Sequence, residues 1–180
     1  MSYEPSHLKP NLIMGYTSRL HLMLDFDDIT FARAKALTKI VQHKWPKVGD
    51  ALISQSSPGS KEFKCTYYLK FLPHYAKTRP SYHIIFDNLI GYNTVMTITQ
   101  TLADSKILER NYMRVRHFRG DLTLRITPTH LSTGLKPAPE VKAFIPNKYT
   151  QKHDGYISLY TQALGQAKAL FDPSYHPNFV

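Results

Sequence analysis

Asp25 and Asp27 are the residues of this chain whose type and spacing point most directly to chemistry. Side chains of an extended segment alternate between faces at about 3.3 Å per residue, so two aspartates one residue apart share a face, about 6.5–7 Å from each other. Carboxylates so placed can share a divalent ion or hold a pair of them. Magnesium and manganese favour such oxygen ligands, with nucleotide phosphates completing the shell. His83, with Ser81 two residues before it, could donate a hydrogen bond to a phosphate. Arg125 carries a guanidinium that grips phosphate as a fork. Plainer roles stand beside these: solvated acids at a strand end with Asp28 capping a helix, a structural histidine, and an arginine paired with Asp121 or Asp27 across a sheet.

Three segments must position these groups. In His21–Asp27, Leu22, Leu24 and Phe26 share one face and Asp25 and Asp27 the other. In Ser81–Asp87, Tyr82, Ile84 and Phe86 oppose Ser81, His83 and Asp87. In Asp121–Ile126 the leucines and Ile126 oppose Asp121, Thr123 and Arg125. Each alternation predicts a strand with one buried face and one open face carrying the polar groups.

Between these strands, Asp28 or Thr30 can cap a helix running to about Trp45, with Ala34, Leu37, Ile40 and Val41 as its apolar stripe and Pro46 as its stop. Strands are predicted over Ala51–Ser56 and Phe63–Leu72, and a basic loop over Pro73–Pro80. A second helix is expected from Tyr92 to Leu108. Tyr112–Phe118 and Asp121–Thr127 read as a hairpin turning at Arg119-Gly120. The chain reads as a single domain: an arm over 1–18, a core over 19–127, an extended wrapping segment over 128–155 and a helix over 156–172. The fold class implied is α+β, an RRM-like or ferredoxin-like split β-α-β sheet with helices packed on one face. In that layout the Asp25 and His83 strands are neighbours, and the Arg125 strand flanks the first of them.

The 180 residues carry 23 Lys+Arg against 13 Asp+Glu, a formal charge of +10, which favours polyanions and nucleic acid first among them. Cys65 is the single cysteine, which excludes an intramolecular disulfide and a cysteine zinc site. No stretch approaches about 18 apolar residues and the N-terminus has no signal-peptide pattern, so a cytoplasmic protein with no membrane partner is expected.

The run Leu22-Met23-Leu24-Asp25-Phe26-Asp27 resembles the hydrophobic-Asp-x-Asp motif of the archaeo-eukaryotic primases, the primase-polymerase superfamily. Ser81-Tyr82-His83 resembles that family's Ser-x-His motif, and the order along the chain agrees. The resemblance spans roughly residues 20–127. It implies an RRM-like core, Asp25 and Asp27 as ligands of magnesium or manganese, two ions being proposed, and His83 as the contact to a nucleotide's phosphates. The family's third motif is a hydrophobic-Asp, for which Asp121 is the candidate catalytic and metal residue, although Gly120 precedes it. Ser81, Arg125 and Lys70 would join His83 in nucleotide binding, and Arg114, Arg116 and Arg119 would track template phosphates. The implied partners are a single-stranded DNA or RNA template, nucleoside triphosphates and a possible replication subunit.

Two other functions compete. One is a non-catalytic RRM-like module, or a degenerate primase, that binds single-stranded nucleic acid on exposed aromatics such as Tyr67, Tyr75, Tyr82 and Tyr112. The other is a replication-initiator nicking enzyme using Tyr156 and Tyr160, one helical turn apart, although the paired metal-binding histidines of such enzymes are missing.

Overall fold

The computed structural model describes residues 15–57, 80–108, 112–113, 119–127, 129–131, 134–136, 138–148 and 155–171. Their elements in order are β1 (Gly15–Ser18), β2 (His21–Phe26), α1 (Phe31–Lys44), β3 (Ala51–Ser57), β4 (Ser81–Leu89), α2 (Tyr92–Asp104), β5 (Leu122–Arg125), β6 (Thr129–Leu131), β7 (Gly134–Lys136), β8 (Glu140–Ile145) and α3 (Tyr156–Phe171). The central sheet is antiparallel in the order β2-β4-β3-β8. β2–α1–β3 and β4–α2 supply the split β-α-β layout, and the fold is α+β.

Local chemistry explains the helix ends. The Thr30 hydroxyl accepts from the Arg33 backbone N–H at 3.2 Å and so caps α1. Asp28 instead takes a positive φ in the turn before it. Ala34, Leu37, Thr38, Val41 and Gln42 form the buried face of α1, whereas Ile40 is 52% exposed and lies off the stripe expected for it. α2 ends at Asp104, earlier than its apolar pattern suggested, because Lys106 turns to a φ of 55°. Leu108 still reaches the core from that turn.

One sheet face carries Leu22, Leu24, Phe26, Ile84, Phe86 and Ile53 beneath α1 and α2. Fully burying each such side chain contributes about 1.5–3 kcal/mol. The other face was expected to be open, and half of it is not. Met23, Ile85 and Leu52 form a second apolar row, covered by Leu122 and Leu124 of β5 and by Tyr156, Tyr160, Leu164 and Ala167 of α3. The buried Asp87 carboxylate holds α3 there by accepting from the Ile157 N–H at 2.9 Å, a favourable place for an acid at a helix N-terminus.

Three expectations for the chain's course need correction. Among the described residues β5 pairs with β1, residues assigned from sequence to the arm, and not with β2 as the expected flanking strand of the central sheet, and Tyr112, Met113 and Arg119 are helical. The rest of 112–118, and the strand expected over Phe63–Leu72, lie outside the described residues. The segment 128–155 contributes strands, of which β8 joins the central sheet by pairing with β3. Among the described residues, no helix is long and apolar enough to cross a membrane.

Candidate functional site

The register of the sheet builds the site. β2 and β4 pair so that Asp25 stands opposite His83, and β3 and β4 pair so that Ser54 stands opposite His83. Asp25, His83 and Ser54 are therefore one cross-strand row, one pleat along from the apolar row Met23, Ile85 and Leu52. A single step along the sheet takes this face from packed core to polar groups.

Within the row the His83 Nε2 lies 3.7 Å from the Asp25 Oδ1. His83 is 3% exposed, while the Asp25 side chain keeps 36% of its surface, so the carboxylate forms the accessible rim and the imidazole the wall behind it. The Ser54 hydroxyl meets the Tyr160 hydroxyl at 3.0 Å, with both residues fully buried. Burial pushes Tyr160 up to about 12, partly offset by the bond to Ser54 and by the nearby Arg125 charge.

Arg125 closes the group from the end of β5, where its guanidinium donates to the backbone carbonyls of Thr127 and Ser56. Burial holds Arg125 below its ordinary value, and the opposing fields of Asp25 first and Tyr160 second raise it. A desolvated guanidinium beside a half-buried carboxylate and an imidazole can receive an anion whose own charge is carried in part by a cation.

The sequence candidates divide as follows. Asp25, His83 and Arg125 come together. Ser81 is buried two residues before His83, opposite Ser57. Asp27 lies one residue past the end of β2 and is exposed. Asp121 precedes β5, about 13 Å from Arg125 at the usual rise per residue. Arg119 is exposed. Lys70, Arg114 and Arg116, with Tyr67 and Tyr75, lie outside the described residues. Ser54 and Tyr160 were not anticipated at the site. Their signals were Ser54's place in the alternation Leu52-Ser54-Ser56, and a tyrosine on the inward stripe of the last helix.

A hard divalent ion takes one or two carboxylates and completes its shell with water and phosphate oxygens, and Asp25 is the acid of the row that such an ion would need, with Asp27 one residue past the strand end. A second ion would need a third carboxylate, and Asp121 stands at the far end of β5. Among the described residues no group of three or more His, Cys, Asp or Glu side chains is placed to hold a metal. Comparisons of the chain with protein-family models, with curated proteins and with solved structures gave no match.

Proposed function

We propose that this chain is a primase-polymerase-type nucleotidyltransferase domain, with Asp25, His83 and Arg125 receiving the phosphates of a nucleoside triphosphate. The observation that carries the reading is the β2–β4 register, which stands Asp25 of one motif directly opposite His83 of the other. The same register that packs Met23 against Ile85 sets the two motifs side by side, and Arg125 at the end of β5 adds a positive charge to that row.

In this reading Asp25 and Asp27 hold magnesium or manganese, which when bound supplies charge neutralisation for transfer to a 3′-hydroxyl. Arg125, whose guanidinium donates to the backbone carbonyls of Thr127 and Ser56, places a fixed positive charge beside the phosphates. His83 donates to the same anion, and Ser54 with Tyr160 forms the floor behind it. The partners are a single-stranded template, nucleoside triphosphates and a replication subunit, in the cytoplasm.

The competing functions find less support. Tyr156 and Tyr160 are buried and both are pushed up to about 12 by desolvation, which disfavours a nucleophilic tyrosinate. Base stacking needs open aromatics. Tyr82 instead packs against Phe31, with ring centroids 5.8 Å apart, and the Tyr112 hydroxyl donates to the Met23 carbonyl at 2.5 Å.

Nucleotide incorporation on primed and unprimed single-stranded templates, with magnesium or manganese, tests the reading. Extension by the wild type and its loss in Asp25→Ala/Asp27→Ala is expected. Undiminished extension by that variant would overturn the assignment of the site.

A further inference from the structure

A second polar feature lies on the opposite side of the sheet. α1 contains Arg33, Lys35, Lys39, His43 and Lys44 and no acidic residue. Lys35, Lys39 and His43 recur every four residues, so they share one stripe of the helix. That stripe runs into a cleft of about 310 Å³ between the end of α1 and the segment after β8, lined by Lys39, Gln42, His43, Ile145, Pro146, Asn147 and Lys148. Three of those seven residues are basic and none is acidic.

The floor of the cleft is fixed internally. The Gln42 amide donates to the carbonyls of Gly49 and Ile145 at 3.1 and 3.0 Å. The Asn147 amide donates to those of Pro46 and Gly49 at 2.8 and 3.2 Å, and the Asn147 backbone N–H donates to the buried Asp50 carboxylate at 2.7 Å. Both carboxamide N–H₂ groups are thus consumed in holding the floor. Recognition is left to the Lys39, His43 and Lys148 side chains at the rim, with Ile145 and Pro146 offering apolar contact for a sugar or base. Such a volume is at the small end of ligand clefts, enough for a phosphate with its attached sugar.

We infer that the Lys39–His43–Lys148 cleft is a second binding site for a phosphate group, independent of the Asp25 site, and that it takes the phosphodiester backbone of a nucleic-acid strand. A free nucleotide offers the same chemistry, so the test must separate the two sources. The inference extends the proposed function, because it gives a nucleic-acid strand a contact on the face away from Asp25.

The test uses the full chain. Backbone amide resonances are followed by NMR while a twelve-residue oligothymidylate or a mononucleotide is added without metal, and dissociation constants and their salt dependence are measured by fluorescence anisotropy. Expected are shifts at residues 39, 43 and 148 with the oligonucleotide. Lys39→Ala/Lys148→Ala should weaken its binding at least about fivefold and flatten the log–log salt slope by roughly 1. Arg19→Ala/Lys168→Ala, which removes equal charge elsewhere, should change binding less than twofold.

Shifts with the mononucleotide and none with the oligonucleotide would overturn the strand as ligand. Absence of shifts with either, or equal weakening by both double variants, would overturn the site. Asp25→Asn should leave the cleft shifts in place, so failure of the proposed catalytic reading and failure of this one are separately visible.

Discussion

The bond between Tyr160 and Ser54 ties α3 to the polar row, and its energetic signature can be worked out in advance. Both residues have no exposed surface and their hydroxyls lie 3.0 Å apart. Tyr160→Phe keeps the ring and its packing against Met23, Leu52 and Ile85 but strands the Ser54 hydroxyl in a dry environment. Leaving one buried partner unsatisfied costs about 1–3 kcal/mol, whereas removing both partners together is nearly neutral. Tyr160→Phe should therefore destabilise the fold by about 1.5 kcal/mol, which is roughly 3–6 °C in Tm for a chain of this size. Ser54→Ala should cost a similar amount, and the double variant should cost less than the sum by about 2–3 kcal/mol. Urea unfolding followed by circular dichroism, with a common slope fitted to all four proteins, reads these values. A Tyr160→Phe protein within about 0.3 kcal/mol of wild type, or a strictly additive double variant, would refute the reasoning.

Three further outcomes follow from the same geometry. Tyr156 and Tyr160 are both pushed up to about 12 when folded, from an ordinary value of 10, so the folded state holds more protons between those values and its stability is intact below pH 10 and falls as pH rises toward 12. The decline should be shallower in Tyr160→Phe when unfolding is followed across that window. Gly49 has a φ of 81° and an added Cβ would collide with the Asn88 carboxamide, so Gly49→Ala should lose about 1–3 kcal/mol in the same urea assay. Arg125→Lys keeps the charge but not the fork that spans the Thr127 and Ser56 carbonyls, so it should lose about 1–2 kcal/mol of stability and bind a nucleoside triphosphate more weakly by calorimetry.

The strands that carry Asp25 and His83 were legible because a period of two is written plainly in both, and the polar positions follow from it. The last helix was legible from end to end, Tyr156 to Phe171. What misled was the assumption of an open face. Leu22-Met23-Leu24 and Ile84-Ile85-Phe86 are unbroken apolar runs, the pattern of a strand covered on both sides, and Met23 and Ile85 indeed lie beneath β5 and α3. The β1–β5 pairing joins residues more than 100 positions apart through a four-residue strand, too short for its alternation to mark it in sequence. Arg114, Val115 and Arg116 alternate like a strand and lie outside the described residues; Tyr112 and Met113 just before them are helical, and Tyr112 packs against both apolar clusters. Of the residues that the fold brings together, Asp25, His83 and Arg125 had been singled out by their chemistry. Ser54 and Tyr160 were missed because a hydroxyl gains its role only from the register that sets it opposite another group.

The account turns on whether Asp25, His83 and Arg125 together hold a nucleotide's phosphates. The most direct measurement is calorimetric binding of a nucleoside triphosphate to wild type, Asp25→Ala/Asp27→Ala and His83→Ala, each with manganese and with chelator. The account predicts metal-dependent binding to the wild type. It also predicts loss of the metal dependence in the double aspartate variant and at least about tenfold weaker binding in His83→Ala, from loss of about 1.4 kcal/mol of contact. Equal binding by all three proteins, unaffected by the chelator, would contradict it.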